Sequence, residues 1–147
     1  MNHKRNRGFT LIEIAVVVFV IGIIASIVLV SFIQVQKDSR DRRRTSDIVA
    51  LENALSGYFR DNNEYPNVCG TDNSGCAASG LSSSLVPRYI PSIPADPKGP
   101  QYSYVRGTNG TSFGFLISFE TQAQCKAGYN ASTGWWGTSV PICSAPL

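Results

Sequence analysis

Residues 8–36 read GFTLIEIAVVVFVIGIIASIVLVSFIQVQ, and after Glu13 no charged side chain follows until Lys37. Ile14 to Ile33 holds Ile, Val, Leu, Phe and Ala, interrupted only by Gly22, Ser26 and Ser31. A helix needs roughly 20 apolar residues to cross a bilayer. This run qualifies and no later stretch does, so the sequence predicts one membrane segment, close to the N-terminus. A secretory signal peptide would share the basic start at Lys4, Arg5 and Arg7. Its apolar core, however, is about 7–15 residues long and ends at a small-residue cut. The run here is longer and no A-x-A pattern follows it, which argues against removal of the whole segment.

Three of the 13 Lys and Arg lie in residues 1–8, and the remainder sets 10 basic against 10 acidic residues. That neutral balance speaks against nucleic acid as a partner. The local exception is KDSRDRRR, residues 37–44, with five basic and two acidic side chains. Both flanks of the apolar run are thus basic, so charge alone leaves the orientation open. The run itself predicts a solvated helix face. Cys69, Cys76, Cys125 and Cys143 all follow the span. An even cysteine count in a small domain suits an oxidising compartment, which places the chain after residue 36 outside the cytoplasm. The only histidine is His3 and no C-x-x-C pair exists, so neither a metal nor another cofactor is expected. Four cysteines allow three pairings. Cys69–Cys76 and Cys125–Cys143 are preferred, because each pair falls within its own segment.

Residues 31–62 contain no proline and only Gly57, and Ile48, Leu51, Leu55 and Tyr58 repeat at three and four residues. This is one stripe of a helix. One continuous helix is expected from about Thr10 to about Asp61, roughly 75–80 Å long. Asn62, Asn63 and Pro66 end it. Residues 67–100, with five prolines between 87 and 100, predict a loop with one helical turn near Ser82–Val86 and no strand. Gln101–Arg106 and Ser112–Glu120 alternate as strands around a turn at 107–110. Phe113, Phe115, Ile117 and Phe119 share the face that should pack on the helix stripe. The tail, with Trp135, Trp136 and Cys143, adds a short third strand in this scheme. The tryptophans read either as an exposed pair or as a plug under the sheet. The fold class is α+β: a long N-terminal helix packed against a small antiparallel sheet. The segments expected are 1–8, 9–36, 37–62 and 63–147.

RGFTLIE, residues 7–13, resembles the processing site of type IV prepilins and of the related pseudopilins of type II secretion. Its elements here are Gly8, Phe9 and Glu13. TSDIVALENALSGYFRDNNEYP (45–66) resembles the second half of the long pilin helix, and YIPSIPADPKGPQYSYV (89–105) the loop leading into the sheet of pseudopilin-like subunits. The resemblance implies cleavage of residues 1–8 by a prepilin peptidase, N-methylation of Phe9, and assembly through the N-terminal helix. It also implies inner-membrane assembly machinery as a partner, and storage in the membrane before assembly. Two features depart from the family pattern. Val30 stands where a helix proline is common. Residues 121–147 contain no Asp or Glu, so the acidic calcium loop of major pseudopilins is not expected.

Glu13 is the residue that a membrane run must explain. An ionised carboxylate within a span normally has a function and a counter-charge. Lys37 lies some 36 Å further along the helix at 1.5 Å per residue. Cleavage after Gly8 would supply a nearer cation, the α-amine of Phe9 on a neighbouring subunit. Alternatively, Glu13 sits at headgroup level and needs no partner.

Catalysis has little support. No histidine follows Gly8, the cysteines are expected to be paired, and no base–nucleophile arrangement is recognisable. The expected function is that of a type IV pilin-like structural subunit, first a single-pass inner-membrane protein with its C-terminal head outside the cytoplasm, then part of an extracellular filament of identical or related subunits. The alternative within the same fold is a pseudopilin acting in protein export. An alternative of another class is a monomeric membrane-anchored binding or sensor module.

Overall fold

No proline interrupts residues 11–62, and the computed structural model, which describes residues 9–143, forms one α-helix over Leu11–Asn62, α1. The helix runs through Val30, where the expected kink-forming proline is missing. It ends as the asparagines predict. Asn63 adopts φ 59°, its amide donates to Phe59 O at 2.8 Å, and Asn62 Nδ2 donates to Tyr58 O at 2.8 Å. A left-handed residue just past the last turn satisfies carbonyls that would otherwise be orphaned. The chain divides into two units, Met1–Gln36 and Lys37–Leu147.

In the second unit, four strands form an antiparallel meander: β1 Gly75–Ala77, β2 Ser103–Arg106, β3 Phe113–Ile117 and β4 Cys125–Ala127. Tyr104 pairs with both Cys76 and Phe115, and Phe115 with Ala127. Side chains alternate across a strand, so one face of the sheet carries Tyr104, Phe113, Phe115 and Ile117. These are buried with Ile48, Leu51 and Leu55 of α1 in one core. The helix stripe and the strand face therefore meet as their periodicities predict. Fully burying each such side chain contributes about 1.5–3 kcal/mol.

β1 corrects the expectation of a strandless loop over 67–100. Gly-Cys-Ala has no β-branched or aromatic residue to signal a strand. It pairs because the Cys69–Cys76 disulfide holds it beside β2, where Asn73 N also donates to Arg106 O at 2.7 Å. The segment then turns through a 3₁₀ turn, Ala78–Leu81, into a short helix, α2, Ser82–Leu85, where one turn was expected. The third strand also lies elsewhere than expected. β4 opens the disulfide-closed tail, and Ile142 contributes only a parallel bridge to Lys126.

The outer sheet face is not left to solvent. Trp135, 7 % exposed, lies across it, and a Cβ placed on Gly114 would stand 3.0 Å from its ring. A side chain at Gly114 would push on the ring, so close approach rather than its dihedrals favours glycine there. The Trp135 indole N–H donates to Asn73 Oδ1 at 3.0 Å. Trp135 is the plug of the two alternatives, while Trp136 stays half-buried.

The structure joins Cys69 to Cys76 and Cys125 to Cys143, across sequence separations of 7 and 18. Loop entropy ascribes about 3 kcal/mol to the longer bridge and less to the shorter. Cys125→Ser with Cys143→Ser should therefore lower the unfolding free energy of the head by about 3 kcal/mol. Denaturant unfolding of variant and parent, under non-reducing conditions, measures it. An unchanged midpoint would show that the tail is held by its other contacts alone.

Candidate functional site

The N-terminal end of α1 is built around Glu13. Its Oε2 accepts from the Thr10 amide at 2.8 Å and from Thr10 Oγ1 at 2.8 Å, while Glu13 N lies 3.4 Å from Thr10 Oγ1. Thr-Leu-Ile-Glu is thus a capping box: residue and carboxylate satisfy each other's orphan donors three positions apart. The T-x-x-E spacing was legible in the sequence, but the apolar context drew attention to a distant counter-charge instead. The carboxylate needs no such charge within its own subunit. Oε1 takes no hydrogen bond among the described residues. Phe9, just before the helix, is exposed. Gly8, the residue before the expected cut, lies outside the described residues.

From Leu11 the helix is apolar, and its most apolar 18-residue window has mean hydropathy 3.2 with none of it buried by the chain. Ile14, Phe19, Ile23, Ile27 and Phe32 are all exposed. Ser26 Oγ donates to Ile23 O at 2.7 Å, and Ser31 Oγ to Ile27 O at 3.4 Å. The hydroxyls are met within the helix, so lipid or another helix is accepted without a polar penalty. A Cβ on Gly22 would meet nothing within 4 Å, leaving a shallow notch on the surface. So large an unpartnered apolar surface marks a membrane or protein contact.

The KDSRDRRR run meets the expectation of a solvated face only in part: Ser39, Arg42 and Arg43 are exposed, but the rest turns inward. Asp41 and Arg44 are buried, with Arg44 3 % exposed. Arg44 Nε and Nη2 grip the two Asp96 oxygens at 2.6 and 2.9 Å, and Nη1 donates to Asp41 Oδ1 at 2.7 Å and Glu120 Oε1 at 3.3 Å. Arg40 makes a second fork with Glu120, at 2.6 and 2.9 Å, and Lys98 Nζ reaches Glu120 Oε2 at 3.1 Å. Asp41 accepts from the Glu120 and Thr121 amides and from Thr121 Oγ1 at 2.7 Å. Three cations and three carboxylates thus tie α1 to the loop at 96–98 and to the exit of β3.

These contacts hold the acids ionised. Burial pushes the Asp96 carboxyl up, but the Arg44 fork and the Gly99 and Lys98 amides outweigh it and hold it at about 2. The Arg40 hydrogen bonds, with Lys98, hold Glu120 far below the usual carboxylate range. The Asp96 hydrogen bond in turn raises the Arg44 guanidinium. No local pattern announced this cluster, because its members are 52 and 76 residues apart in the chain. Among the described residues, no group of three His, Cys, Asp or Glu is placed to hold a metal ion.

A long helix with an exposed apolar first half, a capped Glu13 near its start, and a small antiparallel head define a type IV pilin-like filament subunit. Residues 3–29 match the family model of the prokaryotic N-terminal methylation motif, and residues 31–132 that of type II secretion system protein G. The chain belongs to the type II secretion system protein G family. The core protein G of Aeromonas hydrophila is 36% identical over 140 residues, spanning 92% of this chain and 96% of that protein. That of Vibrio cholerae is 35% identical over 140 residues, spanning 90% and 93%. The type IV major pilin protein PilA of Myxococcus xanthus is 41% identical over 63 residues, 43% of this chain and 29% of that protein. No solved structure matches the chain. Subunits of this kind assemble with related subunits into a filament, and the N-terminal apolar helix anchors them in the inner membrane.

Proposed function

We propose that this chain is a structural subunit, not an enzyme, which a prepilin peptidase cleaves between Gly8 and Phe9 and whose new α-amine is methylated. The subunit waits in the inner membrane with its disulfide-bonded head outside the cytoplasm. It then enters a filament through residues 9–36, by a contact that repeats without closing. The observation that carries this reading is the exposed apolar helix with a capped Glu13 and an exposed Phe9 at its start. The family membership supports work in type II secretion, where such a filament serves protein export. The shared segment with a type IV major pilin supports a surface pilus as the second reading.

Mass spectrometry of filament-associated protein tests the processing step. The expected mass is that of a chain beginning at Phe9 with one methyl group on its amine. A mass that still includes residues 1–8 would sink the proposal and favour a monomeric membrane-anchored module. In a deletion strain, loss of exported proteins from the medium assigns the filament to secretion, and loss of surface fibres with normal export assigns it to a pilus.

A further inference from the structure

Lys126 sits at the centre of β4, paired with Leu116 and pointing to the sheet face away from the core. Its residue is 1 % exposed, yet among the described residues no carboxylate meets it. Its Nζ donates instead to the carbonyls of Thr133 at 2.7 Å, Trp135 at 3.0 Å and Gly137 at 3.4 Å. A buried charge without a counter-ion is costly unless its hydrogen-bonding capacity is met. An ammonium has three donors and no acceptor, and here three acceptors converge on it. Main-chain carbonyls pointing inward are also how polypeptides replace the water shell of a bare cation.

The backbone around the lysine is bent to this purpose. Trp136 adopts φ 54° and Gly137 φ 89°, two successive left-handed residues between the carbonyls that Nζ holds. A bulky residue at positive φ persists only where its surroundings impose it. The same segment lays the Trp135 ring on Gly114. The chain then returns to the lysine, with Lys126 N donating to Pro141 O at 2.9 Å and Cys143 N to Lys126 O at 3.0 Å. The Cys125–Cys143 disulfide closes the loop around a residue that it contains.

We propose that residues 133–137 form a cradle for a small hydrogen-bonding cation of the ammonium class, filled from within by Lys126. The conformation of the tail is set by this cation, and the placing of Trp135 on the outer sheet face follows from it. Deleting the lysine side chain turns the cradle into an open site that takes free ammonium or methylammonium.

The test uses the full chain in detergent micelles, with thermal unfolding and the near-ultraviolet circular dichroism of the tryptophans as readouts. Lys126→Ala should lower the Tm of the head by roughly 10 °C, since three carbonyls lose their donor. Ammonium or methylammonium chloride should restore part of the Tm and of the tryptophan signal. Tetramethylammonium, which has no N–H, should not. Lys126→Met, which keeps the stem and blocks the cavity, should fall as far and gain nothing from any salt. Wild-type Tm and tryptophan signal in Lys126→Met would overturn the proposal, as would equal responses of Lys126→Ala to ammonium and tetramethylammonium. If Lys126→Ala yields no folded protein, the ¹⁵N-labelled wild type decides. The Lys126 ammonium resonance should be protected from solvent exchange where that of exposed Lys98 is lost. Equal exchange at the two lysines would overturn the proposal.

Discussion

Glu13→Ala should leave membrane-inserted protein near wild-type amounts and cut filament number by roughly tenfold or more. Insertion is driven by the apolar run from Ile14, and the cap that Glu13 provides at Thr10 is a small term beside it. The filament is another matter. In the proposed filament the α-amine of Phe9 from a neighbouring subunit would be surrounded by apolar helix, with Glu13 Oε1, which accepts no hydrogen bond among the described residues, as its acceptor. Removing the carboxylate leaves that cation unpaired away from water, once per subunit along a repeating contact. Two further variants separate the charge from the cap. Glu13→Gln still closes a capping box, since Gln serves at that position, but it carries no charge. It should assemble as poorly as Glu13→Ala. Glu13→Asp keeps the charge one methylene short and should be intermediate. Immunoblots of membrane fractions beside filament counts by electron microscopy read the outcome. Wild-type filament numbers from Glu13→Gln would show that the residue acts only as a cap.

Arg44→Ala should destabilise the head by roughly 3–5 kcal/mol, the usual result of removing one partner from a buried ion pair. The substitution strands Asp96 and Asp41, both nearly enclosed beside it. Arg44→Lys should recover only part of this, because a single ammonium cannot reproduce two forks at once. Denaturant midpoints at pH 7 measure the effect, and a loss below 1 kcal/mol would mean that water replaces the guanidinium. The same cluster sets the acid response. Asp96 titrates at about 2 in the folded chain against an ordinary 3.8, and Glu120 also lies well below its ordinary 4.5. Both folded values are depressed, so their stabilisation is fully present above the ordinary values. It is lost as pH falls through the folded ones. Wild-type head should therefore weaken between about pH 4.5 and pH 2. In Arg44→Ala that acid slope should be shallower, because the folded Asp96 value moves back towards its ordinary one.

Periodic elements were legible in the sequence, and elements made by closure were not. Ile48, Leu51 and Leu55 on one side, and Phe113, Phe115 and Ile117 on the other, repeat with the spacings of a helix and a strand. Each therefore declares both its element and its buried face. The asparagines at 62 and 63 declare the helix end in the same local way. β1 escaped because its three small residues become a strand only through a disulfide and a partner some 28 residues later. The ion cluster escaped for a related reason. KDSRDRRR looks like a water-facing run, since nothing nearby tells that Asp96 and Glu120 will return to it. Lys126 carries no local signal in the sequence either. Its burial depends on a loop that has no regular secondary structure to betray it.

The Arg44 cluster has one more consequence, for a filament under tension. A load along the axis of α1 would be resisted by the head not sliding on the helix. Apolar contacts between Leu51 or Leu55 and the sheet oppose separation, but they are non-directional and change little under a small axial slip. Hydrogen bonds weaken steeply with distance and angle. The forks from Arg40 and Arg44 to Glu120 and Asp96 are therefore the contacts that register shear first. They lie near the start of the head's share of α1. The cluster is placed to act as a shear key, its directional bonds fixing the head's register on the helix while the apolar core supplies adhesion.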